Sequence, residues 1–191
     1  METTDSSENE DLLVARARLG DELAWLRLVT QHQEAVFRLA YLIVGVAADA
    51  EDVAQSVFIR AFTRLDQYDD GRPLRPWLLG ITANQARNKR RSIGRYWHMV
   101  GRFLEAHHGE TITEPPPDHT AGALLWQAVR RLPEAQRSVV YLRYFLDLSE
   151  AETAQALHIA PGTVKSRAHR ALKKLRRIIE EEYPELADER I

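Results

Sequence analysis

Ala50, Val53, Ala54, Val57, Phe58, Ala61, Phe62 and Leu65 recur at i, i+3, i+4 and i+7 through four turns, an apolar face that only a helix can bury. The same period dominates the rest of the chain, and no stretch sustains the period-two alternation with turn punctuation that strands require. An all-α fold is expected. Asp49 is placed to cap this helix, with Glu51 and Asp52 favourable in its first turn. An amphipathic helix is expected before it, from about Asp21 to Val44 and ending near Gly45. A third opens where Pro76 suits a first turn and carries Trp77, Leu78, Ile81 and Ala83 into a basic block. Between them YDDGRPLRP, residues 68–76, is a loop, because Gly71 and Pro73 oppose helix continuation.

The 191 residues allow one ordinary domain or two small ones. Pro115, Pro116 and Pro117 favour an extended segment and set a boundary. The expected organisation is therefore two small helical domains, 21–95 and 121–179, joined by a flexible linker, 96–120, and flanked by acidic tails, 1–20 and 180–191. Tyr96, Trp97, Val100, Phe103 and Leu104 extend or follow the third helix before the break.

A net charge of −2, from 26 Lys plus Arg against 28 Asp plus Glu, hides a segregation. Both ends are acidic, whereas Arg87, Lys89, Arg90, Arg91 and Arg95 form one basic block and Lys165 to Arg177 a second without an intervening acid. The net value gives no hint of an anionic partner, and for any such partner the acidic ends would lower non-specific binding.

Several chemistries are excluded. With no cysteine, disulfides, thiolate-bound zinc, iron–sulfur clusters and a thiol nucleophile are impossible. There is no glycine-rich phosphate loop, HExxH or Gly-x-Ser-x-Gly elbow, so neither an enzyme nor a cofactor nor a small-molecule substrate is expected. His107 and His108, beside Glu105 and Glu110, lack further spaced ligands and read as a solvated cluster, not a metal site. The longest uncharged apolar stretch, Leu39 to Ala48, is half the roughly 20 residues a bilayer span needs, so no membrane insertion is expected. The first residues lack the basic start of a signal peptide, and a cytoplasmic location is expected.

In the C-terminal half, helices are expected over Leu124 to Leu132 and from Pro133 to about Leu146. Ser149 with Glu152 three residues on is a capping box for a helix to about Leu157; HIAPG is a short break, and Pro161 suits the start of the next helix. Two helices so joined form the helix-turn-helix pattern. Val164, Ala168, Ala171, Leu172 and Leu175 share the apolar face of the last helix, leaving Lys165, Ser166, Arg167, His169, Arg170 and Lys173 to project elsewhere. Such a helix can enter a major groove with its back on a scaffold and its cations on phosphates and base edges. A solvated surface helix is the plainer alternative.

Residues 132–176, LPEAQRSVVYLRYFLDLSEAETAQALHIAPGTVKSRAHRALKKLR, resemble the fourth conserved region of bacterial RNA polymerase sigma factors. Residues 34–91, with DAEDVAQSVFIRAF, RPWLLGITAN and RNKRR, resemble the second region. Two regions in this order, with no room for a third between them, are similar to the extracytoplasmic-function group. The resemblance implies a dissociable initiation factor that brings core polymerase to promoters and helps open them. Its implied partners are core RNA polymerase (the beta-prime clamp helices and the beta flap), promoter DNA and an anti-sigma protein.

The resemblance also implies roles for residues. Asp52 and Gln55, with Ser56 where the family usually has an acid, would dock on polymerase. The loop of Tyr68, Asp69, Asp70, Gly71 and Arg72 would capture a base flipped from the minus-ten element. Asn84 would face the same DNA, and Arg87, Lys89, Arg90 and Arg91 would hold its phosphates. Asn88 stands where an acid is common. Thr163, Lys165, Ser166, Arg167, His169 and Arg170 would read the minus-thirty-five element, and Thr153 is an atypical polar residue at a site expected to be buried. Trp77, among apolar neighbours, is expected in the core. The competing class is a stand-alone helix-turn-helix regulator, which would have no use for the DAEDVAQ helix.

Overall fold

The computed structural model describes the backbone of residues 3–103 and 121–183 and the side chains of residues 10–95 and 122–183. The described residues contain helices and turns and no strand, and the chain divides into two compact units, Met1–His108 and Gly109–Ile191.

The first unit consists of α1 (Thr3–Arg18), α2 (Glu22–Val44), α3 (Ala47–Phe62), a 3-10 turn (Leu65–Gln67) and α4 (Leu74–Phe103). The expected boundaries of α2 have clear causes. Asp21 accepts the backbone N–H groups of Leu23 and Ala24, both at 3.0 Å, and Gly45 ends the helix with a φ of 86° that a side chain would strain. α3 buries Ala50, Val53, Val57 and Ala61 on the periodic face and packs on α2 and α4, which contribute Val36, Leu39, Ala40, Leu78, Leu79, Ala83 and Ala86 among others to the same core. Leu65 stays on that face although α3 has already ended, buried in the 3-10 turn.

Three expectations need correction here. Asp49 does not cap α3: the helix starts at Ala47 after Val46, and Asp49 lies in its first turn. Within the expected tail 1–20, Thr3–Arg18 form α1, which buries Leu13, Val14 and Ala17 while packing on α2. Its acidic residues masked a short apolar face with helical spacing. Residues 96–103, assigned to the linker, continue α4 as a helix. Residues 104–120, with the three prolines and the His107 and His108 cluster, lie outside the described residues, as do the side chains of Tyr96, Trp97, Val100 and Phe103.

The second unit comprises α5 (Ala121–Arg130), α6 (Glu134–Val140), a π-helical turn (Tyr141–Phe145), α7 (Glu150–Leu157) and α8 (Pro161–Glu182). The capping box forms as expected: the Glu152 N–H donates to the Ser149 hydroxyl at 3.2 Å and the Ser149 N–H to the Glu152 carboxylate at 2.7 Å. His158 closes α7 in the left-handed region, φ 52°, and Pro161 is the first residue of α8. Val164 is buried with Val139 and Ala154, and Leu157, Ile159 and Ala168 pack around them. Leu172 departs from the expected apolar face and is exposed, while Ile178 is buried one turn beyond Leu175. Glu180, Glu181 and Glu182, assigned to the C-terminal tail, are the last turn of α8; residues 184–191 lie outside the described residues.

Thr153 is fully buried and its hydroxyl has no hydrogen-bond partner. A buried orphan hydroxyl costs about 1 kcal/mol or more. Thr153→Val keeps the shape and removes that group, so the second unit is expected to gain about 1 kcal/mol, raising its melting temperature by roughly 4–8 °C. Thermal denaturation followed by circular dichroism checks this; a variant that melts earlier would show the hydroxyl to be satisfied.

Candidate functional site

The candidate residues fall in both units, most of them in the first. α3 and α4 pack with their polar edges diverging, which leaves an open cleft of about 570 Å³ lined by Asp52, Gln55, Ser56, Gln85, Asn88, Lys89 and Arg95 among others. The cleft thus gathers the three residues expected to meet polymerase, all exposed. Lys89 bridges its walls, with its Nζ 3.0 Å from Asp49 and 3.1 Å from Asp52. Those hydrogen bonds and charges hold its ammonium above the usual lysine range. Beside the cleft, Trp25, Val29, Phe58, Ile59 and Phe62 line a mainly apolar groove to which Gln55 also contributes, with Ile59 and Phe62 exposed. This groove was missed from sequence because the same period that identified the core face includes Phe58 and Phe62.

Lys89, expected on the minus-ten DNA, thus lies at the same cleft as Asp52, Gln55 and Ser56. The other α4 residues expected at the minus-ten DNA lie away from the cleft. Asn84 is exposed and accepts a hydrogen bond from the Arg87 guanidinium at 2.7 Å, and Arg91 follows one turn later on the same face. Arg90 is exposed beside this stripe.

The loop between the 3-10 turn and α4 is tightly built. Asp69 accepts the Gly71 N–H at 3.2 Å and pairs with Arg72 at 3.0 Å, while the Arg72 N–H donates to the Asp69 carbonyl at 3.1 Å. Asp69, Asp70, Gly71 and Arg72 are exposed and form its tip. Tyr68 is not part of that tip. It is 5% exposed, its hydroxyl donates to the Arg72 carbonyl, and its ring lies 5.3 Å from that of Trp77. Burial and the nearby Glu10, Asp11 and Asp70 carboxylates push its phenol far above the ordinary range. Tyr68 thus shapes the loop from inside, and Trp77 is half-buried against it, neither a free stacking surface nor a fully enclosed core residue.

α1 supplies contacts that the sequence reading did not contain. Arg18 donates to the carbonyls of Leu65 at 3.0 Å and Tyr68 at 2.6 Å, and pairs with Asp70 at 2.7 Å. Glu10 accepts the Leu74 N–H at the start of α4, and its other oxygen lies 2.8 Å from His32 Nε2. Burial alone would raise the Glu10 carboxyl, but the hydrogen bond and charge of His32, with the Leu74 amide, outweigh it and the net shift is downward from 4.5. A depressed carboxyl stabilises the fold fully above its unfolded pKa, and that contribution is lost as pH falls through the folded value. The stability advantage of the wild type over Glu10→Gln is therefore expected to shrink as pH falls below about 4.5. Urea denaturation of both proteins across that range checks it; a pH-independent difference would remove Glu10 from the titrating groups.

In the second unit, α8 holds Lys165, Ser166, His169 and Arg170 exposed and Thr163 and Arg167 half-buried. Arg170 lies back along the helix, donating to the Ser166 carbonyl at 3.1 Å. The apolar side of α8 faces α6 and α7, so its cationic side is left outward at the turn. Among the described residues no group of three or more His, Asp or Glu is placed to hold a metal, and no helix is long and apolar enough to cross a membrane.

Residues 28–96 match the family model for Sigma-70 region 2, and residues 123–175 match that for Sigma-70, region 4. The chain is 35% identical over 166 residues to the ECF RNA polymerase sigma factor SigL of Mycobacterium tuberculosis, covering 84% of this chain and 92% of that one. It is 35% identical over 170 residues to the ECF RNA polymerase sigma factor BldN of Streptomyces coelicolor, covering 87% of this chain but spanning only 64% of that relative's length. Among solved structures, the sigma factor RpoE in complex with the anti-sigma factor NepR from Bartonella quintana superposes with a TM-score of 0.62. At 22% identity over 82% of this chain and 96% of that one, it shows the shared fold.

Proposed function

Because the chain belongs to the extracytoplasmic-function RNA polymerase sigma factors, we propose that it docks on core polymerase through the α3–α4 cleft, reads a promoter with both units and assists its opening. The observation that carries this reading is the segregation within the first unit. Asp52, Gln55 and Ser56 converge on one cleft, whereas the exposed loop tip and the Asn84, Arg87 and Arg91 stripe lie outside it. One module that touches a protein and a displaced strand at once needs two such faces; a stand-alone regulator needs neither.

Asp52 and Gln55 would engage the beta-prime clamp helices. Asp69, Asp70, Gly71 and Arg72 would capture a flipped minus-ten base, with Asn84, Arg87, Arg90 and Arg91 on the adjoining strand. Thr163, Lys165, Ser166, Arg167, His169 and Arg170 would enter the major groove of the minus-thirty-five element, while another face of the second unit meets the beta flap. The chain itself performs no catalysis, which belongs to the polymerase, and it acts in the cytoplasm where polymerase does. Control by an anti-sigma protein is part of the reading, and the similarly folded RpoE was solved with one.

Run-off transcription with core enzyme and a randomised promoter library tests the proposal. Promoter-selective transcripts are expected only when the chain is added, and synthesis that stays at the core-only level throughout would overturn it.

A further inference from the structure

The contacts of α1 carry a role that reaches beyond packing. We propose that Arg18 is the positioning residue of the base-reading loop: from the end of α1 it holds the Leu65–Leu74 connection in the conformation that presents Asp69 to Arg72. This rests on the reading of that loop as the minus-ten reader.

Arg18 is itself locked in place. It is the last residue of α1, followed by Gly20 at φ 87° and by Asp21, whose carboxylate is held by Arg16 at 2.6 Å. The chain reverses there, and the Arg18 side chain, 22% exposed, is directed onto the loop. A guanidinium offers five donors in a rigid fork, and here the fork meets two loop carbonyls and one loop carboxylate. The carbonyls are those of Leu65 and Tyr68, at the start and end of the 3-10 exit, and the carboxylate is on the exposed tip. The Arg18 guanidinium also sits 5.9 Å from the centroid of the Tyr68 ring, so the residue that shapes the loop from inside and the one that clasps it from outside are in register.

The other end of the connection is tied by the same helix through Glu10 at the Leu74 N–H, where a carboxylate suits the positive end of α4. α1 thus contacts the loop at both ends while leaving its tip exposed. A loop so held meets a flipped base without first losing its own conformational freedom. Fixing one residue's backbone changes an equilibrium by about ten-fold. Losing the clasp is therefore expected to flatten base preference, not to abolish polymerase docking, which uses the cleft between α3 and α4.

The experiment compares wild type, Arg18→Met, Arg18→Lys and the tip variant Asp69→Ala/Arg72→Ala as full chains with core polymerase. Each holoenzyme is run on a promoter library randomised in its upstream and downstream recognition windows. Affinity for core enzyme and hydrogen exchange of the loop amides are measured alongside.

For Arg18→Met the ratio of best to median downstream sequence is expected to fall by about ten-fold. Upstream preference and core affinity stay at wild-type values, and exchange rises at Asp69 to Leu74 without rising in α2 or α3. Arg18→Lys, which can satisfy fewer acceptors at once, is expected to fall between the two. If the tip variant alters downstream preference and Arg18→Met does not, the clasp is refuted while the loop reading stands. If the tip variant leaves downstream preference untouched, the loop reading itself fails. A general rise of exchange through α2 and α3 in both Arg18 variants would make Arg18 merely structural and overturn the proposal.

Discussion

Val164→Asp is expected to unfold the second unit and leave the first folded. Val164 is 0% exposed, enclosed by Val139 and Ala154 with Leu157, Ile159 and Ala168 around them. It is also the point at which α8 is seated on α6 and α7. Burying an unpaired carboxylate there costs several kcal/mol even after the group neutralises itself, and a unit of this size has only about 5 kcal/mol to lose. Hydrogen exchange read unit by unit checks this: amides of α6, α7 and α8 lose protection while those of α2 and α3 keep it. The functional counterpart is loss of dependence on the upstream promoter element, with affinity for core polymerase reduced to what the first unit supplies. Wild-type protection in α8 would show that the turn is not held by this contact.

Neutralising Lys165, Arg167 and Arg170 together to Ala is expected to produce the opposite pattern, an intact fold with crippled DNA binding. Lys165 and Arg170 are exposed and Arg167 half-buried, and none belongs to the apolar face that seats the helix. Each cation that neutralises a phosphate contributes about 0.9 to the slope of log affinity against log salt, so the slope is expected to fall by up to about 2.7. If one of the three reads a base edge, a further loss of about 1–3 kcal/mol appears on the preferred sequence alone. Titrating the holoenzyme against duplex promoter fragments at several salt concentrations separates the two contributions. An unchanged slope would remove this face of α8 from the interface.

The C-terminal half was largely legible because its signals are local. A capping box spans three residues, Pro161 acts on its own turn, and the interval from His158 to Ala160 is too short to permit anything but a tight break. The α2 and α3 helices were legible for the same reason, through Asp21, Gly45 and an unbroken apolar period. α1 was not. Its residues 3–11 are all polar and carry all of its acids, and its buried face of Leu13, Val14 and Ala17 is too short to stand out as a period. One consequence is practical: removing residues 1–11 to test the effect of the acidic end on DNA binding would also remove Glu10 and its bond to the start of α4. A truncation that stops before Glu10 keeps that contact.

Within the candidate site, residue type was informative and residue grouping was not. The basic block of α4 reads as one patch along the chain, yet at 100° per residue its members turn to different neighbours. Lys89 meets Asp49 and Asp52 of α3, whereas Asn84, Arg87 and Arg91 share another face. Tyr68 belongs to the loop in sequence and to the core in space, because only the folded unit supplies the Trp77 ring and the Arg72 carbonyl that enclose it.

By itself the sequence determined the helical class, the helix ends that carry caps, the helix-turn-helix and the family, all of which depend on spacings within a few turns. The tertiary structure alone decided that α1 is part of the first unit, that Lys89 sits with Asp49 and Asp52 of α3, and that Arg18 bonds to a loop some fifty positions away. Those outcomes depend on which faces meet after the helices pack, and no local period encodes a partner that distant.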